Sequence, residues 1–321
     1  MKKFQVAGID MPCIDLALSV DNFPKPNGGA KVNTASWQGG GKVATGMVAA
    51  ARLGAHCAIM GAVGEDNYGT FCVEDFKAHG IDVSGLQVQK GKTTSLSIVI
   101  SDKETKGRSI VYNTGSASLP RVEELDEEII TGCEYFFVAH LSPTVVEAAK
   151  KAKAAGAKIF IDADNYNEEL MENIGLIDIF VGSEFVYDAL FPGDADYEKN
   201  CQKVREMGPK VVVFTLGGKG CVGLSDEGFF EMPTFDVPVI DTVGAGDVFH
   251  GAFLAGLLQG WSVKEICRFG NAVSSIKVTR QGGRAGIPDM KTVLHFMETG
   301  EIDYTEIDKR VAFYARSMQY V

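Results

Sequence analysis

The sequence lacks the features that mark secreted, membrane-anchored and zinc-binding proteins. Its seven cysteines include no C-x-x-C pair, and its five histidines include no H-E-x-x-H or other paired metal-ligand spacing. The first apolar stretch is interrupted by Gln5, Gly8 and Asp10, which is not typical of a signal peptide. We therefore expect reduced thiols, structural histidines and a cytoplasmic location.

Positive charge is also scarce. The chain has 31 Lys and Arg against 42 Asp and Glu, a formal net charge of -11. That balance gives no overall attraction to phosphate backbones or anionic lipids, so we expect neither a nucleic-acid nor a membrane partner. An anionic substrate would need local positive charge. With 321 residues, 45% of them apolar, the chain can bury one large core.

Short apolar runs alternate with segments of helical periodicity. Strands are predicted at residues 4–9, 57–60, 135–139, 158–161, 179–181 and 211–216. Helices are predicted at residues 43–53, 68–79, 142–155 and 248–258, closed by glycines at 54, 80, 156 and 260. This alternation predicts an α/β fold in which helices cover both faces of a parallel sheet.

Two stretches, residues 15–37 and 93–113, break this alternation. In the second, residues 95–100 and 108–112 are predicted to be strands joined by a polar turn. We predict that both stretches form a small β-sheet lid, and that residues 1–14, 38–92 and 114–321 form the main domain. Near the end, residues 290–299 and about 305–318 are predicted to be helices that pack on the core or on a neighbouring subunit.

The strongest local signal is a turn of small residues that leads into an apolar helix. The amides of Gly244, Ala245 and Gly246 would lie at the helix N-terminus, where unpaired N–H groups and the helix dipole favour a phosphate. Asp247 could be a helix cap. A carboxylate at that place would repel a phosphate, however, unless it accepts a proton from an attacking hydroxyl. We therefore predict that Asp247 is a general base.

The run D-T-V-G-A-G-D at residues 241–247 resembles the D-T-x-G-A-G-D signature of the ribokinase-like (PfkB) carbohydrate kinases. Residues 40–54 also follow that family's G-G-K-x-A-N-x-A-x-A-A-A-x-L-G signature almost throughout. The resemblance covers roughly residues 4–290. It implies a three-layer α/β/α sandwich with a mostly parallel central sheet and a β lid, and ATP-dependent phosphorylation of a hydroxyl group of a small sugar or sugar derivative.

The resemblance also assigns a sugar pocket. Asp15 follows the first strand, where relatives place a substrate-binding aspartate, although a solvated loop residue is the alternative. Gly40 and Gly41 would allow close approach of the backbone to the sugar. Lys42 would place a cation near the substrate unless it is a surface charge.

Three further residues bear on which sugar is bound. Thr45 replaces the asparagine of the family signature, so we expect a different hydrogen-bonding face on the ligand. Arg108 and Asn113 lie on the second predicted lid strand and would reach into the pocket. If Arg108 faces inward beside Lys42, the pocket suits a phosphorylated or otherwise anionic sugar.

The nucleotide site is assigned by the same resemblance. Residues 215–220, T-L-G-G-K-G, resemble the family's loop beside the ATP phosphates and ribose, in which Thr215, Gly217 and Gly220 are the matching positions. A tight turn without a ligand is the alternative. Asn271 and Gly283 would flank the adenine.

Metal binding is predicted at two places. The family's N-x-x-E motif is reduced to G-S-E, which leaves Glu184 to hold Mg²⁺ through water. Asp241 and the carbonyl of Val243 would help to bind a monovalent cation, K⁺, as in some relatives. The neighbouring His250 could approach the phosphate, but a packing role is favoured.

Two other functions remain open at this point. The segment M-P-C-I-D at residues 11–15 also resembles the N-P-L-L-D segment of adenosine kinases, which allows a nucleoside kinase of the same fold. A sugar sensor without catalysis is the second alternative. A homodimer formed through the lid is expected because exposed sheet edges are often covered by a partner.

Overall fold

The computed structural model describes residues 2–104 and 107–316. Its strands are, in chain order, β1 (Phe4–Asp10), β2 (Cys13–Val20), β3 (Val32–Gly40), β4 (Cys57–Gly64), β5 (Asp82–Gln89), β6 (Ser95–Asp102), β7 (Arg108–Asn113), β8 (Cys133–Val138), β9 (Lys158–Ala163), β10 (Ile179–Ser183), β11 (Val211–Thr215), β12 (Cys221–Ser225) and β13 (Gly228–Met232). Its helices are α1 (Lys42–Arg52), α2 (Asn67–Ala78), α3 (Glu127–Thr131), α4 (Pro143–Ala154), α5 (Glu168–Asn173), α6 (Glu184–Leu190), α7 (Tyr197–Glu206), α8 (Ala245–Leu258), α9 (Val263–Lys277), α10 (Met290–Thr299) and α11 (Thr305–Arg316).

Nine strands form the main sheet in the order β13-β12-β11-β10-β9-β8-β1-β4-β5. The seven strands from β11 to β5 are parallel, and β12 and β13 add an antiparallel edge. Each of the six predicted strands lies in this sheet. The parallel sheet is therefore confirmed, and its strands are almost continuously apolar because they are buried on both faces.

The core is divided by the sheet. Alternate residues of each strand face opposite sides, so Phe136 and Phe137 on β8 belong to two different apolar clusters. One cluster includes residues of α1, α8 and α9, and the other includes residues of α4 and α7. The fold is therefore the predicted three-layer α/β/α sandwich.

Two small residues bring α1 and α8 into close contact. A Cβ added at Gly251 would lie 2.1 Å from the carbonyl oxygen of Gly46, and one added at Gly46 would lie 3.1 Å from that of Asp247. Neither position has space for a larger side chain. Gly46 of the first signature and Asp247 of the second, about 200 residues apart along the chain, are therefore neighbours in space.

A second sheet has four strands in the order β3-β2-β6-β7. It contains the predicted strands of residues 95–100 and 108–112, and it extends beyond residues 15–37 because β2 begins at Cys13 and β3 ends at Gly40. All six residues of β7 are exposed. Of the predicted helix at residues 305–318, positions 317 and 318 lie outside the described residues.

All seven cysteines are unpaired thiols, and only Cys13 is not fully buried. Within residues 2–104 and 107–316, none of the helices combines the length and apolar character needed to cross a bilayer.

Candidate active site

The carboxyl ends of the parallel strands carry polar residues along one edge of the sheet, where ligands bind in folds of this kind. In spatial order these residues are Thr215 at the end of β11, Glu184 after β10, Asp164 after β9, His140 after β8 and Asp10 at the end of β1. The polar side chains at this edge are therefore candidates to contact a substrate.

The anion hole, formed by the amides of Gly244, Ala245 and Gly246, lies at the N-terminus of α8. Gly244 caps the helix in the left-handed conformation, with φ 71°, which other residues adopt only with strain. A Cβ added at Gly246 would meet nothing within 4 Å. The space where a side chain at position 246 would lie is thus open.

Asp247 lies in the first turn of α8 and is half-buried. Burial raises the pKa of its carboxyl group well above the ordinary value, and the nearby charges of Asp162, Asp164 and Asp10 raise it further, whereas Lys42 lowers it. A carboxylate with a raised pKa holds a proton more strongly than an ordinary aspartate. It is therefore suited to general-base chemistry.

Lys42, the first residue of α1, donates to Oδ2 of Asp164 at 2.6 Å. Burial alone would lower the pKa of Lys42, but Asp164, Asp162 and Asp247 outweigh it and raise the pKa. For Asp164, burial acts against the lysine, and the net effect is a lowered pKa. Lys42 is therefore a charged residue of the site, paired with a carboxylate that sequence reasoning missed.

His250 ties α8 to the main sheet. Its Nδ1 lies 2.7 Å from the carbonyl oxygen of Gly246, and its Nε2 lies 3.2 Å from that of Val181 and 3.5 Å from Oδ1 of Asp162. The ring is buried, which agrees with the favoured packing role. Oδ2 of Asp162 is buried without a hydrogen-bond partner among the described residues. The charge of Asp162 is one of the causes of the raised pKa of Asp247.

The glycine pair at the start of α1 lies against two carboxylates. A Cβ added at Gly40 would lie 2.4 Å from Oδ2 of Asp15, and one added at Gly41 would lie 2.9 Å from Oδ2 of Asp10. Asp10 also accepts from the amides of Met11 and Ala44. Burial raises the pKa of both carboxyl groups. Gly41 also has a φ of 100°, which favours glycine, and a side chain at position 40 would have to displace the carboxylate of Asp15.

The hydroxyl of Thr45 is buried and contacts an arginine. The residue is 2% exposed, and its Oγ1 accepts from Nε of Arg284 at 3.4 Å. Arg284 is completely buried and also donates to the carbonyl of Gly40 at 2.9 Å and to Asp75 at 2.5 Å. A buried arginine therefore connects Thr45 with Gly40 at the end of β3.

The two predicted pocket residues of β7 make different contacts. Arg108 is exposed, and its Nη1 donates to the hydroxyl of Thr242 at 3.3 Å, next to the anion hole. Oδ1 of Asn113 accepts from the amide of Gly115 at 2.8 Å and closes a local turn. Arg108 thus faces the phosphate side of the site, and the side chain of Asn113 stabilises its own strand end.

The predicted nucleotide loop follows β11. Thr215 donates to the carbonyl of Gly182 at 3.3 Å, and the amide of Leu216 donates to the carbonyl of Gly220 at 2.7 Å. Gly217 and Gly220 have φ angles of 55° and 96°, so the tight turn requires glycine. Oε1 of Glu184 lies 3.6 Å from a Cβ added at Gly217, which places this carboxylate beside the loop.

Asn271 and Gly283 lie at different parts of the site. The amide nitrogen of Asn271 is buried and donates to the carbonyls of Met232 and Pro233, so it fixes the chain after β13. Gly283 packs on the anion hole, because its Cα would lie 3.0 Å from a Cβ added at Gly244. Its contact is therefore with the phosphate loop.

The oxygen atoms predicted to bind K⁺ are already engaged. The carboxylate of Asp241 accepts from the amides of Val243 and Gly282, at 3.0 Å and 2.8 Å. The carbonyl of Val243 accepts from Nζ of Lys277. These residues do not fit the predicted cation site. Among the described residues there is also no group of three His, Cys, Asp or Glu side chains placed to hold a metal directly.

The comparison with known proteins decides the family. The sequence model of the pfkB family of carbohydrate kinases matches residues 1–290. The chain belongs to this family. It is therefore an ATP-dependent carbohydrate kinase, and the resemblance of its two signatures is confirmed.

Individual relatives agree with this assignment. The kinase is 31% identical over 297 residues to the ribokinase of Haemophilus influenzae. The match covers 88% of this chain and 95% of the relative. It is 27% identical over 294 residues to the 5-dehydro-2-deoxygluconokinase of Clostridium perfringens, with coverage of 84% and 87%. A ribokinase II-type structure from E. coli, solved with ATP and Mg²⁺, is similar at a TM-score of 0.80 and 23% identity, with coverage of 92% and 99%.

Sequence reasoning missed several residues of the kinase site. Asp10, His140 and Asp164 all end or follow parallel strands, and that position was the available signal. His140 is exposed, and its charge partly offsets the rise that burial causes in the pKa of Asp10. Arg284 and Lys277 offered no signal, because only the fold brings them to the site.

Proposed function

We propose that this kinase transfers the γ-phosphoryl group of ATP to a hydroxyl group of a small neutral sugar, with Asp247 as the general base. The observation that carries the proposal is the position of Asp247, whose carboxyl group has a raised pKa and belongs to the first turn of the helix that provides the anion hole. One helix N-terminus thus offers both a phosphate-binding surface and a proton acceptor.

The reaction follows from these residues. Asp247 takes the proton of the acceptor hydroxyl as that oxygen attacks the γ-phosphorus, and the bond to the leaving ADP breaks. The amides of Gly244, Ala245 and Gly246 stabilise the charge on the transferring group. Arg108 adds a positive charge from β7, since it already contacts Thr242 next to these amides. We propose that the four-stranded sheet closes over the site as a lid and excludes water.

Mg²⁺ would neutralise charge on the phosphates of ATP when both are bound. The residues present fit such an ion, since Glu184 offers a carboxylate beside the nucleotide loop and Asp164 offers another after the adjacent strand β9. Both would act through water, because Mg²⁺ keeps much of its hydration shell. The named ATP and Mg²⁺ complex of the E. coli relative supports this proposal.

The charges of the pocket favour a neutral acceptor. Lys42 is paired with Asp164, and Arg108 reaches towards Thr242, so the two cations expected to bind an anionic sugar are engaged elsewhere. Asp10 and Asp15 line the glycine pair with carboxylates. Carboxylates bind sugar hydroxyls well but repel a second phosphate group.

The proposal predicts the acceptor preference. In an ADP-release assay with neutral sugars, phosphorylated sugars and nucleosides, we expect turnover with a neutral sugar and little with its phosphorylated counterpart. Asp15→Asn should raise the KM for the sugar and leave the KM for ATP unchanged, because Asp15 lies on the acceptor side. A kinase that prefers a phosphosugar or a nucleoside would contradict the assignment.

The alternatives receive less support. Relatives named as ribokinase and 5-dehydro-2-deoxygluconokinase do not favour a nucleoside acceptor. A sensor without catalysis would not need a carboxyl group with a raised pKa at the anion hole. We also propose a cytoplasmic location, in keeping with seven unpaired thiols, and a homodimer formed through the exposed strand β7.

A further inference from the structure

A buried lysine contacts the loop that carries the anion hole. Lys277 is the last residue of α9, and its side chain is 0% exposed. Its Nζ donates to the carbonyl of Asp241 at 3.1 Å and to the carbonyl of Val243. An ammonium group is expensive to bury unless hydrogen bonds and an opposite charge compensate for the lost water. This placement therefore points to a function.

The contacts of Lys277 fix the backbone just before the anion hole. Val243 directly precedes Gly244, whose left-handed conformation starts α8. Asp241 holds the same turn from its side chain, since its carboxylate accepts from the amides of Val243 and Gly282. The turn thus has a cation on its carbonyls and a carboxylate on its amides. Together they determine where the phosphate-binding amides point.

The position of the ammonium excludes a separate cation. An ion such as K⁺ would need the carbonyl of Val243, where the Nζ of Lys277 already lies, together with the carboxylate of Asp241. It would also lie next to the charge of Lys277 and be repelled in a buried environment of low dielectric constant. Other charges that act on Lys277 are Asp241 and Asp247, which attract it, and Arg108, which repels it.

We propose that the ammonium group of Lys277 replaces a monovalent cation in this kinase, so that K⁺ and Na⁺ are not needed for activity. A tethered cation holds the turn at every salt concentration. Below about pH 8, the value to which burial lowers the pKa of Lys277, it also supplies a positive charge near the site where negative charge gathers in the transition state. The family resemblance implied a cation site at Asp241 and Val243. In this chain the ammonium group of Lys277 lies on the carbonyls of these two residues.

A melting experiment tests the proposal without a substrate. The wild-type protein and the variant Lys277→Ala are melted in KCl and in tetramethylammonium chloride at equal ionic strength. We expect the wild-type Tm to be the same in both salts. The Tm of Lys277→Ala should be higher in KCl, because K⁺ can enter the vacated space and stabilise the folded state. A K⁺-dependent Tm of the wild-type protein would overturn the proposal.

Kinetics provide the second readout, and only this readout rests on the proposed function. Wild-type kcat/KM should not change when KCl replaces tetramethylammonium chloride. Lys277→Ala should lose about 10²-fold in kcat without K⁺, as when one stabilising group of an anion hole is removed, and regain much of it with K⁺. Lys277→Met, which fills the space without a charge, should lose as much and not recover.

The outcomes separate two kinds of failure. If the wild-type kinase turns over its sugar but is activated by K⁺, the inference about Lys277 is wrong and the proposed function stands. If Lys277→Met equals the wild-type rate in K⁺-free buffer, Lys277 is only a packing residue. If no sugar is phosphorylated in any salt, the proposed function fails, and the melting experiment still decides the inference.

Discussion

Asp247 occupies an environment that opposes its ionisation. Burial raises its pKa, three other aspartates raise it further, and only Lys42 among the named groups counteracts them. Such an arrangement disfavours the charged form in the folded protein, and proteins tolerate it where the chemistry needs a strong proton acceptor. The residue therefore resembles a base prepared for catalysis more than a helix cap.

Replacing Asp247 tests this role at the scale of one residue. Asp247→Asn should lower kcat by about 10²- to 10⁴-fold, because the amide cannot accept the hydroxyl proton. Asp188→Asn, at an exposed position of α6, is the matched control and should be unaffected. Turnover close to the wild-type rate in Asp247→Asn would show that another group accepts the proton.

The pH profile of the wild-type enzyme provides the supporting readout for that variant. The raised pKa means that Asp247 binds its proton at a higher pH than an ordinary aspartate. The rate should therefore fall as the pH is lowered through this raised pKa, because the protonated carboxyl group cannot act as a base. The acid limb should disappear in Asp247→Asn.

At the scale of elements, Arg284 joins parts of the chain that are distant in sequence. It donates to Asp75 on α2 and to the carbonyl of Gly40 at the end of β3. Tyr314 on α11 donates to the other oxygen of Asp75 at 2.7 Å, and its oxygen lies 3.0 Å from Nε2 of His79. The single hydroxyl proton of Tyr314 goes to Asp75, so His79 is the donor in the second contact.

This buried cluster connects the stability of the fold with the sugar pocket. Asp75→Asn leaves the charge of Arg284 uncompensated and should lower the free energy of unfolding by about 3–5 kcal/mol. It should also raise the KM for the sugar, because Arg284 positions Gly40. Urea denaturation and steady-state kinetics measure the two effects.

A second variant provides the control for the cluster. Tyr314→Phe removes a hydrogen bond to a charged group but leaves the pair of Asp75 and Arg284 intact, so about 1.5–3 kcal/mol should be lost. The KM for the sugar should then stay near the wild-type value. Equal losses of stability in both variants would mean that the buried charge of Arg284 does not require the charge of Asp75.

For the whole molecule, the sequence predicts what depends on local pattern. Apolar runs at residues 57–60 and 211–216 lie in β4 and β11, and Gly54 ends α1 with a φ of 99°. The strand β5 was not predicted, because its sequence D-V-S-G-L-Q-V-Q is polar and only its pairing with β4 makes it a strand. Tertiary contacts decide such segments.

The candidate site shows the same division. The anion hole could be located because the turn and its helix are contiguous in sequence. The engagement of Thr45 by Arg284 and of Val243 by Lys277 could not, because each contact joins segments that meet only after folding. The side chains that we propose to control the sugar pocket and the cation requirement belong to this second kind.

The exposed edge strand β7 predicts how the molecule assembles. Strand β7 is an open edge of the four-stranded sheet, and Ile110, Val111 and Tyr112 on it are 49%, 60% and 70% exposed. An exposed apolar edge strand readily pairs with another chain. A second copy of the chain suits this edge, because pairing of two β7 strands would satisfy their free backbone groups and cover the apolar side chains.

Substitutions on one face of β7 test this assembly. Ile110 and Tyr112 are two residues apart and lie on the same face. The double variant Ile110→Lys with Tyr112→Lys should sediment as a monomer of 34.5 kDa, whereas the wild-type protein should have twice that mass.

Val88→Lys, at an exposed position of the edge strand β5, is the control and should stay dimeric. A wild-type monomer at assay concentration, or a double variant that remains dimeric, would rule out this interface. If the dimer also holds the lid, the double variant should have a lower kcat, because Arg108 lies on the same strand and contacts Thr242 beside the anion hole.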